Sequence, residues 1–88
     1  MIEKEITVVN TLGLHARPAS LIVREAQKFT SEIQFIKDDL TANAKSIMEV
    51  TILAAAYNSK LVLQANGPDE EEAVAVITDL FDKKFFEE

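Results

Sequence analysis

Apolar and polar residues alternate in some stretches of this chain and recur every three to four residues in others, and the two periods divide it into strands and helices. From Ile2 to Val9, Ile2, Ile6 and Val8 share one parity while Glu3, Glu5 and Thr7 share the other, which predicts a strand covered on one face. Lys4 breaks the alternation and is expected to snorkel. Asn10-Thr11-Leu12-Gly13 reads as a turn, and Pro18 fits only the first turn of a helix, where its missing N–H is not needed. A helix is therefore predicted from about Ala16 to Lys28, with Ala19, Ile22, Val23, Ala26 and Phe29 as its core stripe.

Ile33 and Phe35, then Leu40, Ala42 and Ala44, predict two short strands joined at Lys37-Asp38-Asp39, a hairpin without the usual turn glycine. Ser46-Ile47-Met48-Glu49 matches a capping box, in which the serine oxygen accepts from the N3 amide and the glutamate returns to the cap amide. A short helix should follow from Ile47 to about Ala56. Leu61, Leu63 and Ala65 alternate in a fourth strand that ends at Asn66-Gly67-Pro68. Asp69 with Glu72 repeats the capping logic, and Ala73, Val76, Ile77, Leu80 and Phe81 set the stripe of a last helix. Glu70 to Glu72 at its start and Lys83-Lys84 at its end complement the helix dipole.

The order βαββαβα, with one apolar stripe per helix, predicts an α+β fold over residues 1–88 as a single domain: a four-stranded antiparallel sheet with three helices on one face. At 88 residues the chain has room for one modest core. Cysteine is absent, which excludes disulfides, thiolate nucleophiles and zinc–thiolate sites and fits a reducing cytoplasm. A net charge of −6 argues against general affinity for nucleic acid or anionic membranes. Neither a signal segment nor a run of apolar residues long enough to span a bilayer is legible.

Against this acidic background, Arg17, Leu21, Arg24 and Lys28 form a basic stripe on the first helix, and the only histidine, His15, stands just ahead of it. A residue there faces the unsatisfied amides of the first turn and the positive end of the dipole, which together favour an anion. Arg17 adds a fork suited to phosphate. An imidazole in that position can attack a phosphoryl group and give it up again, so a phosphate relay is one reading of the pair. The other is that His15 is a plain N-cap and Arg17 a surface charge. A metal site is not expected, because no second histidine or cysteine exists. A small phosphatase-like enzyme, with Arg17 as clamp and His15 as acid or base, lacks any residue to position water.

Ser46 is the N-cap of the second helix, and a phosphate there would add about two negative charges, opposed by Glu49 one turn in. Ile47, Met48 and Ile52 do not all fit an inward stripe with Val50, Leu53 and Ala54, so part of this set should be exposed. With Leu21 they would make an apolar patch ringed by Arg17, Arg24 and Lys45, suited to an acidic partner groove; filling a small core is the alternative use of the same residues.

Gly13-Leu14-His15-Ala16-Arg17-Pro18-Ala19 together with Asn43-Ala44-Lys45-Ser46-Ile47-Met48 strongly resembles the HPr family, the histidine-containing phosphocarriers of the phosphoenolpyruvate-dependent sugar phosphotransferase system. The likeness extends over essentially the whole chain. It implies an open-faced β-sandwich, a cytoplasmic monomer and no cofactor. It also implies that His15 accepts phosphate on Nδ1 from phosphorylated enzyme I and passes it to enzyme II A domains, with Arg17 stabilising the group. Ser46 falls at the position that an ATP-dependent HPr kinase/phosphorylase modifies in many bacteria, creating a form read by a catabolite regulator. Ala16, Ser20, Leu21, Arg24, Lys45, Ile47, Met48 and Ile52 fall on the implied docking surface. A purely regulatory relative, in carbon or nitrogen control, is the alternative the resemblance carries. Glu49, where the family often has glycine or lysine, and Asp38-Asp39, where a glycine turn is common, depart from the pattern.

Overall fold

The computed structural model describes residues 1–53 and 55–86. Strands β1 (Ile2–Thr7), β2 (Glu32–Lys37), β3 (Leu40–Asn43) and β4 (Lys60–Asn66) form one sheet in the order β1-β4-β2-β3, with every neighbouring pair antiparallel. Helices α1 (Ala16–Ala26), α2 (Ile47–Ile52) and α3 (Glu70–Asp82) cover one face, and a 3-10 turn at Lys84–Phe86 closes the described chain. The predicted α+β order and the open-faced arrangement are both present.

Register explains why only one face is covered. Ile6 pairs with Leu61, Leu63 stands between Lys4 and Phe35, and Phe35 pairs with Ala42, so apolar rows cross the sheet beneath the helices. Phe35, Leu61, Leu63, Ile22, Ile77 and Val50 are fully buried between the two layers. On the bare face, Glu3, Gln64, Gln34 and Asn43 fall in one row. There the Gln34 amide donates to Gln64 Oε1 at 2.5 Å, and the Gln64 amide donates to the Glu3 carboxylate. Lys4 is exposed, as a snorkelling residue on an edge strand should be.

Several expected details differ. The α1 helix stops at Ala26, with Gln27 as C-cap, and α2 stops at Ile52; Ala54 lies outside the described residues. Leu40 shares the inward parity of Ala42 yet is 48% exposed, at the hairpin end of an edge strand where it lines an open depression with Ile52 and Leu53. The hairpin turn is made without glycine: Asp38 takes φ +54°, a left-handed conformation that aspartate tolerates better than most residues. In α3 it is Val74, not Val76, that is buried, since the helix packs against α1 as well as the sheet and needs a wider stripe. Phe85, just past the predicted stripe, is fully buried with its ring edge-on to Phe81 at 4.8 Å.

Candidate functional site around His15

The segment between β1 and α1 is fixed before any side chain of the site is considered. The Gly13 amide donates to the Asn10 carbonyl at 3.1 Å, and the side-chain amide of buried Asn10 donates back to the Gly13 carbonyl at 2.7 Å. That same carbonyl accepts from the His15 amide at 3.1 Å. Leu14 is buried, and its amide donates to the Ala55 carbonyl at 2.8 Å, tying the segment to the stretch that follows α2. Gly13 is required twice over. Its φ is +70°, and a Cβ there would lie 2.6 Å from the Ala55 oxygen and 3.0 Å from the Ala56 Cα.

His15 emerges from this brace in extended geometry, φ −85° and ψ −167°, as the N-cap of α1. Its carbonyl accepts the first helical bond, from the Ala19 amide at 3.1 Å, but its imidazole makes no capping bond. A plain side-chain N-cap role is thereby removed. Ala16 and Arg17 are exposed, and Pro18 is buried with no N–H to offer. The first turn of α1 holds no acidic residue, whereas α2 has Glu49 there and α3 has Glu70, Glu71 and Glu72. Two helix starts thus carry their own anion, and the one behind His15 carries an arginine.

The rest of the expected surface divides in two. Ser20 and Arg24 are exposed on the outer side of α1, Leu21 is half-buried against the core, and α1 packs on α2. Ile47, Met48 and Ile52 are 49%, 69% and 63% exposed, while Val50 and Leu53 turn inward. The three α2 members of the expected patch are therefore exposed. Arg17 and Arg24 pair with no carboxylate among the described residues, but the other predicted cations are engaged. Lys28 pairs with Glu25 at 2.9 Å. Lys45 is half-buried, and its ammonium donates to the Phe29 carbonyl at 2.7 Å while its own carbonyl accepts from Gln27. Lys45 thus joins the head of α2 to the end of α1 and is not a free rim charge.

The capping box at Ser46 forms only in part. Ser46 Oγ accepts from the Glu49 amide at 3.3 Å, as predicted. The returning carboxylate does not reach the Ser46 amide, which the Asn43 carbonyl already occupies at 3.0 Å; it accepts from the Asn43 amide at 3.0 Å. At α3, by contrast, Asp69 makes no side-chain capping bond. Its carboxylate accepts from the amides of Thr30 and Ser31, both at 2.9 Å, and from the Ser31 hydroxyl at 2.5 Å. These donors, the Ser31 hydroxyl foremost, lower its pKa from 3.8 to about 2. Glu70 is also held below the ordinary carboxylate range, first by the Gly67 amide and then by the N-terminal ammonium. The Asp69 carboxylate thus braces the segment that follows the end of α1 remote from His15, about 16 Å along the helix.

Sequence reasoning missed three residues near the site. Asn10 carries the brace, and its place in a turn disguised a buried role. Leu12 and Tyr57, 71% and 55% exposed, lie on the two loops that the Leu14–Ala55 bond joins. An apolar residue inside a predicted turn was the available signal for Leu12. Among the described residues no cluster of side chains suits a metal ion, and no helix is long and apolar enough to cross a membrane.

This geometry can be set beside known proteins. A family model described as the PTS HPr component phosphorylation site matches residues 2–83. The chain belongs to the HPr family. The phosphocarrier protein HPr of Treponema pallidum is 48% identical over 88 residues, all of both chains. The HPr-like protein Crh of Halalkalibacterium halodurans is 44% identical over 84 residues, covering 96% of this chain and 100% of its own. The crystal structure of an HPr from Thermoanaerobacter tengcongensis superposes with a TM-score of 0.96 at 46% identity, covering 100% of this chain and 99% of that one. HPr proteins are phosphocarriers of the phosphotransferase system and not enzymes with turnover of their own, and the fold found here is the HPr fold.

Proposed function

We propose that this chain, as a cytoplasmic monomer, carries a phosphoryl group on His15 between phosphorylated enzyme I and the A domains of sugar-specific enzymes II. The observation that carries the reading is the start of α1, where His15 is held extended ahead of a first turn with an arginine and no acid. In the transfer, a lone pair on His15 Nδ1 attacks phosphorus, and the donor nitrogen leaves with the electrons of the broken P–N bond. The first-turn dipole and the Arg17 guanidinium stabilise the charge on the moving group. The second half of the relay repeats the step with His15 as leaving group.

Phosphoenolpyruvate and enzyme I test this directly. The expected product is one acid-labile phosphate per chain, absent from His15→Ala; an adduct on another residue, or none, overturns it. A second reading, a regulatory binding module without relay, is supported by the likeness to Crh and by the exposed Ile47, Met48 and Ile52. It predicts partner binding that persists in His15→Ala with no labelling of the parent chain by enzyme I.

A further inference from the structure

Asn66-Gly67 is the one Asn-Gly pair in the sequence, and it stands at the turn from β4 into α3. A glycine that follows asparagine leaves the chain chemically labile, because no side chain shields the glycine amide and little restrains its backbone. Here the pair is held. Glu70 clasps Gly67 at both of its polar groups: the Glu70 carboxylate accepts from the Gly67 amide at 3.1 Å, and the Glu70 amide donates to the Gly67 carbonyl at 3.3 Å. Ser31 crowds the glycine from the other side, since a Cβ there would lie 2.5 to 2.9 Å from its atoms. Asn66 itself is exposed, the last residue of β4, and stands directly opposite Glu32 of β2.

We propose that Asn66 is a site of spontaneous deamidation, held closed by the Glu70 clasp on Gly67. In the reaction the Gly67 nitrogen gives up its proton and bonds to the side-chain carbonyl carbon of Asn66. The bond from that carbon to the side-chain nitrogen breaks, and the nitrogen leaves as ammonia with the proton. Water from the solvent then opens the cyclic imide at either carbonyl, giving aspartate or isoaspartate. For the ring to close, the Gly67 nitrogen must swing toward the Asn66 side chain, and so out of a charge-assisted bond that commits both its proton and its direction. Either product disturbs the joint between sheet and helix. Aspartate at position 66 would face Glu32 across the sheet, and like charges directly opposite are destabilising. Isoaspartate would add a carbon to the backbone where Ser31 already crowds Gly67. Deamidation is on this account a slow ageing of the β4–α3 turn, with Glu70 setting its rate, and it makes no use of His15.

The test incubates the full chain at mildly alkaline pH and follows each asparagine by peptide mapping with mass spectrometry, which resolves Asn66 from Asn58. In the folded parent chain Asn66 should deamidate about tenfold or more slowly than in the same chain unfolded in guanidinium chloride, and equal rates overturn the proposal. Glu70→Ala should raise the folded rate about tenfold, the worth of one hydrogen bond to a charged acceptor. A rise below about threefold, no more than an uncharged bond supplies, overturns it. Glu70→Gln keeps an oxygen for the Gly67 amide and should restore most of the protection; a rate equal to that of Glu70→Ala counts against the clasp and overturns it. Phe85→Ala removes a buried ring beyond the far end of α3 and leaves Gly67 clasped, so it should deamidate more slowly than Glu70→Ala. The opposite order would place the gate in global unfolding and overturn the proposal.

Discussion

Asp69 and Ser31 are joined twice, the carboxylate accepting from both the amide at 2.9 Å and the hydroxyl at 2.5 Å of a residue 38 positions earlier. The link fastens the turn after α1 to the start of α3, and Gly67 lies so close to it that a Cβ there would meet Ser31 atoms at 2.5 to 2.9 Å. Because these bonds favour the ionised form, the folded-state pKa of Asp69 lies below its unfolded value. Its contribution to stability is complete above the unfolded value of 3.8 and is lost as pH falls toward about 2. Urea titrations across that window should show stability falling with acid, more steeply in the parent chain than in Asp69→Asn. Equal slopes would mean that the link does not select the charged carboxylate.

Gly13 tests the brace beneath His15. In Gly13→Ala the new methyl group meets the Ala55 oxygen while φ stays at +70°, so strain and clash combine. A loss of about 1–3 kcal/mol in unfolding free energy is expected. Phosphorylation by enzyme I should slow as well, because the His15 amide donates to the Gly13 carbonyl. Measuring both in one preparation separates a brace from a spacer: a spacer would leave stability unchanged.

Met48→Asp tests the exposed patch. A side chain 69% exposed contributes little to the core, so unfolding should move by no more than about 0.5 kcal/mol. Transfer from enzyme I should fall about tenfold or more if Met48 anchors the encounter. Stability lost without an effect on transfer would assign Met48 to packing.

Phe85 lies in a left-handed turn in which Lys84, Phe85 and Phe86 take φ of 53°, 55° and 61°. Such backbone costs on the order of 1 kcal/mol or more per residue, so burial of the ring against Phe81 must outweigh it. Phe85→Ala should lower stability by about 3–5 kcal/mol, read as a fall in the urea midpoint. A change below about 1 kcal/mol would show that the ring does not hold the turn in solution.

Local periodicity made most of the fold legible, while the errors fall where a distant group outbid a near one. The alternation of Ile6, Phe35, Ala42, Leu61 and Leu63 places the covered face correctly, because parity along a strand is a local property. The Asp69 cap is misread because Ser31, far away in sequence, offers its carboxylate an amide and a hydroxyl that no local pattern announces. Glu49 is sent to the wrong amide for a similar reason: Asn43 supplies the carbonyl that takes Ser46 and the amide that takes Glu49. At the site, His15 and Arg17 stand out by residue type and spacing. The commitment of Lys45 to Phe29 is invisible without the packing of α1 on α2.

The bonds that hold Asn10, Gly13 and Ala55 together also bear on the entropy of docking. A loop that must be ordered in each encounter charges every partner for lost conformational freedom. Here the backbone that presents His15 is already set by bonds of 2.7 to 3.1 Å, so that loss falls once, on folding. On the proposed relay, enzyme I and the enzyme II A domains would meet that same corner in turn, each adapting its own side chains to it.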